Sequence, residues 1–139
     1  MIDRYTTNEM AKIWSDENKY ETWKKVEIQV TEVLSEMGEV PKESLKVIKN
    51  KAAFSVDRIL EIERTTHHDV IAFLTNLAEN IGPDSRFIHM GMTSSDLLDT
   101  SLALLCKEAG SLILVKLKKF KKVLRKQALV HRKTFQIGR

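Results

Sequence analysis

An unbroken helical pattern from about Asp96 to about Lys133 limits what this chain can fold into more than any other feature. It contains no Pro and a single Gly, Gly110. Apolar residues recur every three or four positions: Leu98, Leu102, Leu105, Ala109, Ile113, Leu117, Phe120, Leu124 and Ala128. A helix of that span is roughly 55 Å long. No single domain of 139 residues has the diameter to enclose such a rod. It must lie lengthwise against other long helices, in this chain or in other chains. The segment that opens it, Gly91-Met92-Thr93-Ser94-Ser95-Asp96, is also the richest in chemistry.

The residues before it predict shorter helices. Thr6-x-x-Glu9 has the form of a capping box and starts a short helix to about Trp14. Ser15 or Asp16 caps the next, whose apolar positions are Tyr20, Trp23, Val26, Val30, Val33, Leu34 and Met37. Gly38 stops it, and Pro41 opens another helix through Leu45 and Ile48. Ser55 caps a fourth, with Val56, Ile59, Leu60 and Ile62 apolar. Thr66-x-x-Asp69 reads as a second capping box, starting a helix with Val70, Phe73, Leu74, Leu77 and Ile81 that Gly82-Pro83 ends. There is no strand pattern, repeat or low-complexity linker. The expected class is all-α: a small N-terminal helical domain over 1–92, then the first long helix of a bundle domain over 93–139.

Composition excludes several classes. Hydrophobic content of 42% with 30% charged residues fits a soluble globular chain rather than a disordered one. The polar start does not fit a signal peptide, and no apolar run reaches the ~18 residues of a membrane span. The lone Cys106 makes no internal disulfide. The cytoplasm is the expected location. The net charge of +4 is uneven: residues 107–139 carry +10 and the rest −6. The basic block is Lys116, Lys118, Lys119, Lys121, Lys122, Arg125, Lys126, Arg132, Lys133 and Arg139. With no aromatic or Gly-rich platform interleaved, it reads as a solvated or oligomer-facing surface, and nucleic acid is not an expected partner.

Two helix starts carry candidate chemistry. His67 and His68 adjoin Asp69. Histidine suits proton transfer near neutral pH, and a neighbouring carboxylate can fix its tautomer. The plainer reading is a helix cap with two partly exposed histidines. Adjacent histidines diverge by about 100° on a helix and lack zinc-type spacing, so no metal is expected. At Thr93-Ser94-Ser95-Asp96, Thr93 or Ser94 caps the long helix and Asp96 complements its dipole. Three hydroxyls exceed what a cap requires, and together with backbone donors they suit an anion or a developing oxyanion. Arg4-Tyr5 offers a cation and a phenol near the N-terminus. His89 and His131 are isolated and receive no role.

These motifs occur in a familiar order. Arg4-Tyr5, Ile13-Trp14-Ser15, Tyr20-x-x-Trp23-x-x-Val26-Glu27, Val40-Pro41-Lys42, Thr66-x-His68-Asp69-Val70 and Gly91-x-Thr93-Ser94-Ser95-Asp96 together resemble the adenylosuccinate lyases of the fumarase/aspartase superfamily, over the whole chain. The resemblance implies β-elimination, splitting adenylosuccinate into AMP and fumarate, and the analogous step on succinylaminoimidazole-carboxamide ribotide. It implies His68 as a catalytic residue. It implies Arg4, Tyr5, Asp69, Thr93 and Ser94 as substrate-binding residues for a small succinyl-nucleotide. His67 stands where the family commonly has Arg, and is a binding candidate on its own chemistry alone. The family uses no cofactor and is homotetrameric, with active sites built from three subunits. Additional apolar residues at Leu97, Leu104, Leu112, Leu114 and Val115 widen the stripe of the long helix accordingly. The resemblance places the general acid, in a Thr-His-Gly motif, and the general base, in a Ser-rich loop, beyond residue 139. It thus implies an N-terminal fragment without lyase activity of its own. Two other readings stand beside it: a helical interaction or nucleic-acid-binding module, and another lyase of the same superfamily.

Overall fold

A computed structural model of the chain describes residues 2–138; Arg139, the last cation of the basic block, lies outside them. The described residues form six α-helices: α1 Asn8–Ile13, α2 Asp16–Glu36, α3 Lys42–Lys51, α4 Val56–Thr66, α5 Asp69–Ile81 and α6 Ser94–Val130. Short 3-10 turns occupy Asp3–Tyr5 and Pro83–Phe87. No strand occurs among the described residues.

The helix boundaries follow local chemistry. Ser15 accepts from the Asn18 N–H and Ser55 from the Arg58 N–H, each satisfying an orphan donor of the first turn. At the end of α2, Gly38 takes φ +87°, and the Glu39 and Val40 N–H groups return to the Leu34 carbonyl. The cap of α1 is Thr7 rather than Thr6: Thr7 accepts from Met10, whereas the Thr6 hydroxyl donates to the Ile2 carbonyl. Two adjacent threonines offer the same cap, and only the path of the preceding turn selects one.

The core joins every α-helix except α1. Tyr20, Trp23, Ile48, Ile59, Phe73, Leu77, Ile81 and Leu97 are buried together. Tyr20 stacks on Phe73 with ring centroids 5.7 Å apart, and Trp23 meets Phe73 edge-on at 5.4 Å. Helices α4 and α5 form a tight hairpin. The Arg58 guanidinium holds Glu79 at 2.6 Å and the Ser55 N–H donates to the Asn76 side chain at 2.9 Å. A smaller cluster of Ile13, Leu105 and Ala109, with Met10 and Leu112, seats α1 on α6.

The buried face of α2 differs from its apolar stripe. Val33 and Met37 are exposed, while Thr22, Glu27, Thr31 and Ser35 face inward. The Thr22 and Thr31 hydroxyls donate to carbonyls one turn back, at 2.8 and 2.7 Å, so two of these polar groups are buried already satisfied. Helix α6 divides in two. Leu97, Ser101, Leu105 and Ala109 pack against the body, whereas Ile113, Leu117, Phe120 and Leu124 are about half exposed. Its distal half thus extends clear of the rest of the chain with an apolar face uncovered.

Candidate functional site

The α4–α5 corner is built on its two histidines. His67 ends α4 in the left-handed region at φ +50°, and its N–H closes on the Glu63 carbonyl at 2.8 Å. His68 then turns extended and becomes the N-cap of α5. Its Nδ1 accepts from the Ile71 N–H at 3.3 Å. The cap is therefore an imidazole and not the Thr66 hydroxyl, which donates to the His68 carbonyl instead. Asp69 binds the N–H of Val70 at 2.7 Å. Its Oδ1 lies 3.6 Å from His68 Nδ1, too far for a hydrogen bond. The tautomer of His68 is thus set by a backbone donor rather than by Asp69. With Nδ1 accepting, the neutral ring carries its proton on Nε2, and His68 presents a donor outward.

The head of α6 is the second component. Gly91 adopts φ +74° and turns the chain into Thr93, the N-cap. The Asp96 carboxylate accepts from the Thr93 N–H at 2.8 Å, one of the two reciprocal bonds of a capping box between these residues. Thr93 is exposed and Ser94 half-buried, so both hydroxyls remain accessible beside the first-turn amides. Arg4 and Tyr5 lie on the first 3-10 turn, both exposed, with the guanidinium 4.8 Å from the ring centroid.

Not all of these groups meet within one chain. Glu9 pairs with Lys116 at 2.5 Å, and Met10 packs against Leu112, so the N-terminal arm rests on the middle of α6. Lys116 lies six turns from Ser94, about 33 Å along the axis at ~1.5 Å per residue. The start of α1, which follows Arg4-Tyr5 closely in the chain, therefore meets α6 far from Thr93-Ser94. Two apolar hollows flank α6. One of about 290 Å³ is lined by Trp14, Trp23, Leu98 and Leu102, and one of about 430 Å³ by Met10, Leu112, Ile113 and Phe120. None of the candidate residues lines either.

One pair in this region escapes a reading of the sequence by motif. The Glu27 side chain is wholly buried on α2, and its carboxylate reaches the segment before α6. One oxygen accepts from the His89 N–H at 2.9 Å, and the other lies 2.6 Å from His89 Nδ1. His89 adopts φ +62°, a conformation costing an L-residue about 1–2 kcal/mol. Both bonds to Glu27 help hold it there. A signal existed: Glu27 falls four residues after Trp23 and seven after Tyr20, on the core face of α2, where a lone carboxylate demands a partner.

Groups with shifted titration lie elsewhere. Burial raises the Tyr20 phenol above its ordinary range. Hydrogen bonds from Arg58, then Asn76, hold the Glu79 carboxyl below its own range, and Glu79 and Glu61 raise the Arg58 guanidinium in return. Among the described residues no group of three His, Cys, Asp or Glu side chains is placed to hold a metal ion. Nor, among the described residues, is any helix long and apolar enough to cross a membrane.

Comparison with known proteins covers the same span. A model of the lyase family matches residues 3–139. The chain is 42% identical over all 139 residues to an adenylosuccinate lyase of Bacillus subtilis, 50% to one of Synechocystis and 45% to one of Streptococcus mutans. In each case it spans 32% of the relative, about a third of its length. Among solved structures, a 3-carboxy-cis,cis-muconate lactonizing enzyme from Pseudomonas putida superposes with a TM-score of 0.90 at 28% identity, over 100% of this chain and 34% of that one. A fumarate lyase from Mesorhizobium shares the fold, with a TM-score of 0.86 at 20% identity, over 95% of this chain and 32% of that one.

Proposed function

The chain belongs to the lyase family, and on that premise we propose that its protein is a carbon–nitrogen lyase splitting adenylosuccinate into AMP and fumarate. The observation that carries the reading is 42–50% identity, over every residue of the chain, to relatives named adenylosuccinate lyase. The parallel step on succinylaminoimidazole-carboxamide ribotide, a place in purine nucleotide biosynthesis and a cytoplasmic location go with it.

The chemistry is β-elimination. A base removes the proton on the carbon next to a carboxylate, negative charge accumulates on that carboxylate, and the departing nitrogen is protonated. Thr93 and Ser94, with the free amides of the α6 head, are suited to the accumulating charge, because donors fixed in advance need no reorganisation when it appears. His68 assists as a donor. Its Nδ1 is engaged by the Ile71 N–H, so Nε2 carries the proton toward the substrate or the acid that serves it. Asp69 keeps the α5 start in place through the Val70 N–H. Arg4 and Tyr5 bind the nucleotide, and His67 contributes a protonatable donor where a fixed cation is commoner.

Such a site needs more than one chain. The ~33 Å between the N-terminal arm and the α6 head supports binding residues contributed by different subunits. The uncovered apolar face of distal α6 supports a homotetramer assembled through a bundle of which residues 93–139 form the first arm, residues 1–92 making an N-terminal helical domain. The test is direct. The longer subunit containing this chain should release fumarate from adenylosuccinate, read as loss of its ultraviolet absorbance, whereas the 139-residue chain alone should not. Turnover by the short chain, or none by the long one, would overturn the reading.

A further inference from the structure

The Glu27–His89 pair is unused by the proposed function. Glu27 is buried at 0% exposure with its two oxygens committed to one residue, the backbone N–H and Nδ1 of His89. A Gln could have anchored the backbone as well without placing a charge in the core. The carboxylate matters for the ring. Facing an acceptor with no proton of its own, Nδ1 must carry the hydrogen, and at 2.6 Å the bond is of the short, charge-assisted kind. The other ring nitrogen, Nε2, has no partner among the described residues and is not a buried unpaired atom; with the side chain 18% exposed, it opens to solvent. The residue stands in the turn, closed by the Met92 N–H on the His89 carbonyl, that leads directly into Thr93.

We propose that Glu27 is a positioning residue: it fixes His89 in the Nδ1–H tautomer, so that an open, proton-accepting Nε2 is held beside the head of α6. This is the opposite of His68, whose outward nitrogen carries the proton. The catalytic consequence rests on the lyase reading; the tautomer does not.

The experiment has two arms. In the ¹⁵N-labelled 139-residue chain, long-range proton–nitrogen correlation spectra above the histidine titration range should show His89 Nδ1 as protonated and Nε2 as bare. In Glu27→Gln the amide oxygen can keep the backbone N–H while its NH2 donates to Nδ1, so the pattern should invert. A parent ring protonated on Nε2, or an unchanged pattern in Glu27→Gln, overturns the proposal. The parent spectrum decides even if the variant does not fold. In the full-length lyase, Glu27→Gln should lower kcat at least tenfold with KM altered less than threefold. It should cost nothing further in a His89→Ala background. A loss that persists without His89 assigns Glu27 to the fold alone and overturns the proposal. A full-length protein inert toward adenylosuccinate would remove the lyase reading and leave the tautomer result standing.

Discussion

Removing an oxygen from the core should stabilise this protein. Tyr20 is wholly buried among Trp23, Phe54 and Phe73, yet its hydroxyl has no hydrogen-bond partner among the described residues. Leaving such a donor unsatisfied costs about 1–3 kcal/mol. Tyr20→Phe abolishes that cost and keeps the ring contacts. It gives up the dispersion contacts of one atom, each worth ~0.1–0.2 kcal/mol. The lost contacts offset about half of the smallest gain, so the net expectation is a stabilisation of about 1 kcal/mol. Urea unfolding followed by far-ultraviolet circular dichroism would read it as a higher midpoint at unchanged slope. Running it at two protein concentrations tenfold apart keeps association through the exposed face of α6 out of the comparison. A Tyr20→Phe variant less stable than the parent by 1 kcal/mol or more would refute the reasoning, since the hydroxyl would then have a bonding partner in solution.

Other expectations follow from the same geometry. His68→Ala in the full-length lyase should lower kcat by about 10²–10⁴-fold, the usual worth of a positioned proton-transfer group, with a smaller change in KM; steady-state kinetics would show it, and an unchanged kcat would remove His68 from the chemistry. Glu79 has a depressed folded carboxyl relative to its ordinary value of 4.5, caused first by Arg58. Its contribution is therefore present above that value and lost as pH falls through the lower folded one. Glu79→Gln should therefore lower stability at pH 7, change little once pH is below the folded value, and so flatten the acid limb of a stability–pH profile. Leu117→Glu with Phe120→Glu, both on the uncovered face of α6, should lower the sedimentation-derived mass of the full-length protein, which we propose to be a homotetramer, without reducing the helix content of the short chain.

The two helix starts of the candidate site could be located from residues alone, because capping is local. A hydroxyl or carboxylate next to the right amide announces itself within four positions: Ser55 does so alone, and the caps of α2 and α6 narrow to Ser15 or Asp16 and to Thr93 or Ser94. Locality also marks the limit. Thr6 and Thr7 are equivalent in a sequence, and Thr66 looked a better cap than His68 until the left-handed turn at His67 carried its hydroxyl past the end of α4.

What the chain's order of residues determined by itself was the all-α class, the number of helices, the length of α6 and the family. All of these rest on periodicity, caps and breakers within short windows, or on such motifs in order. Only the tertiary structure decided which face of α2 is inward, that Glu27 reaches His89 across 62 positions of chain, and that the N-terminal arm lies on the middle of α6, away from its head. Those are outcomes of how helices dock. An amphipathic stripe states that a surface must be covered, but the element that covers it, and hence which buried carboxylate meets which imidazole, depends on packing between segments that no local pattern connects.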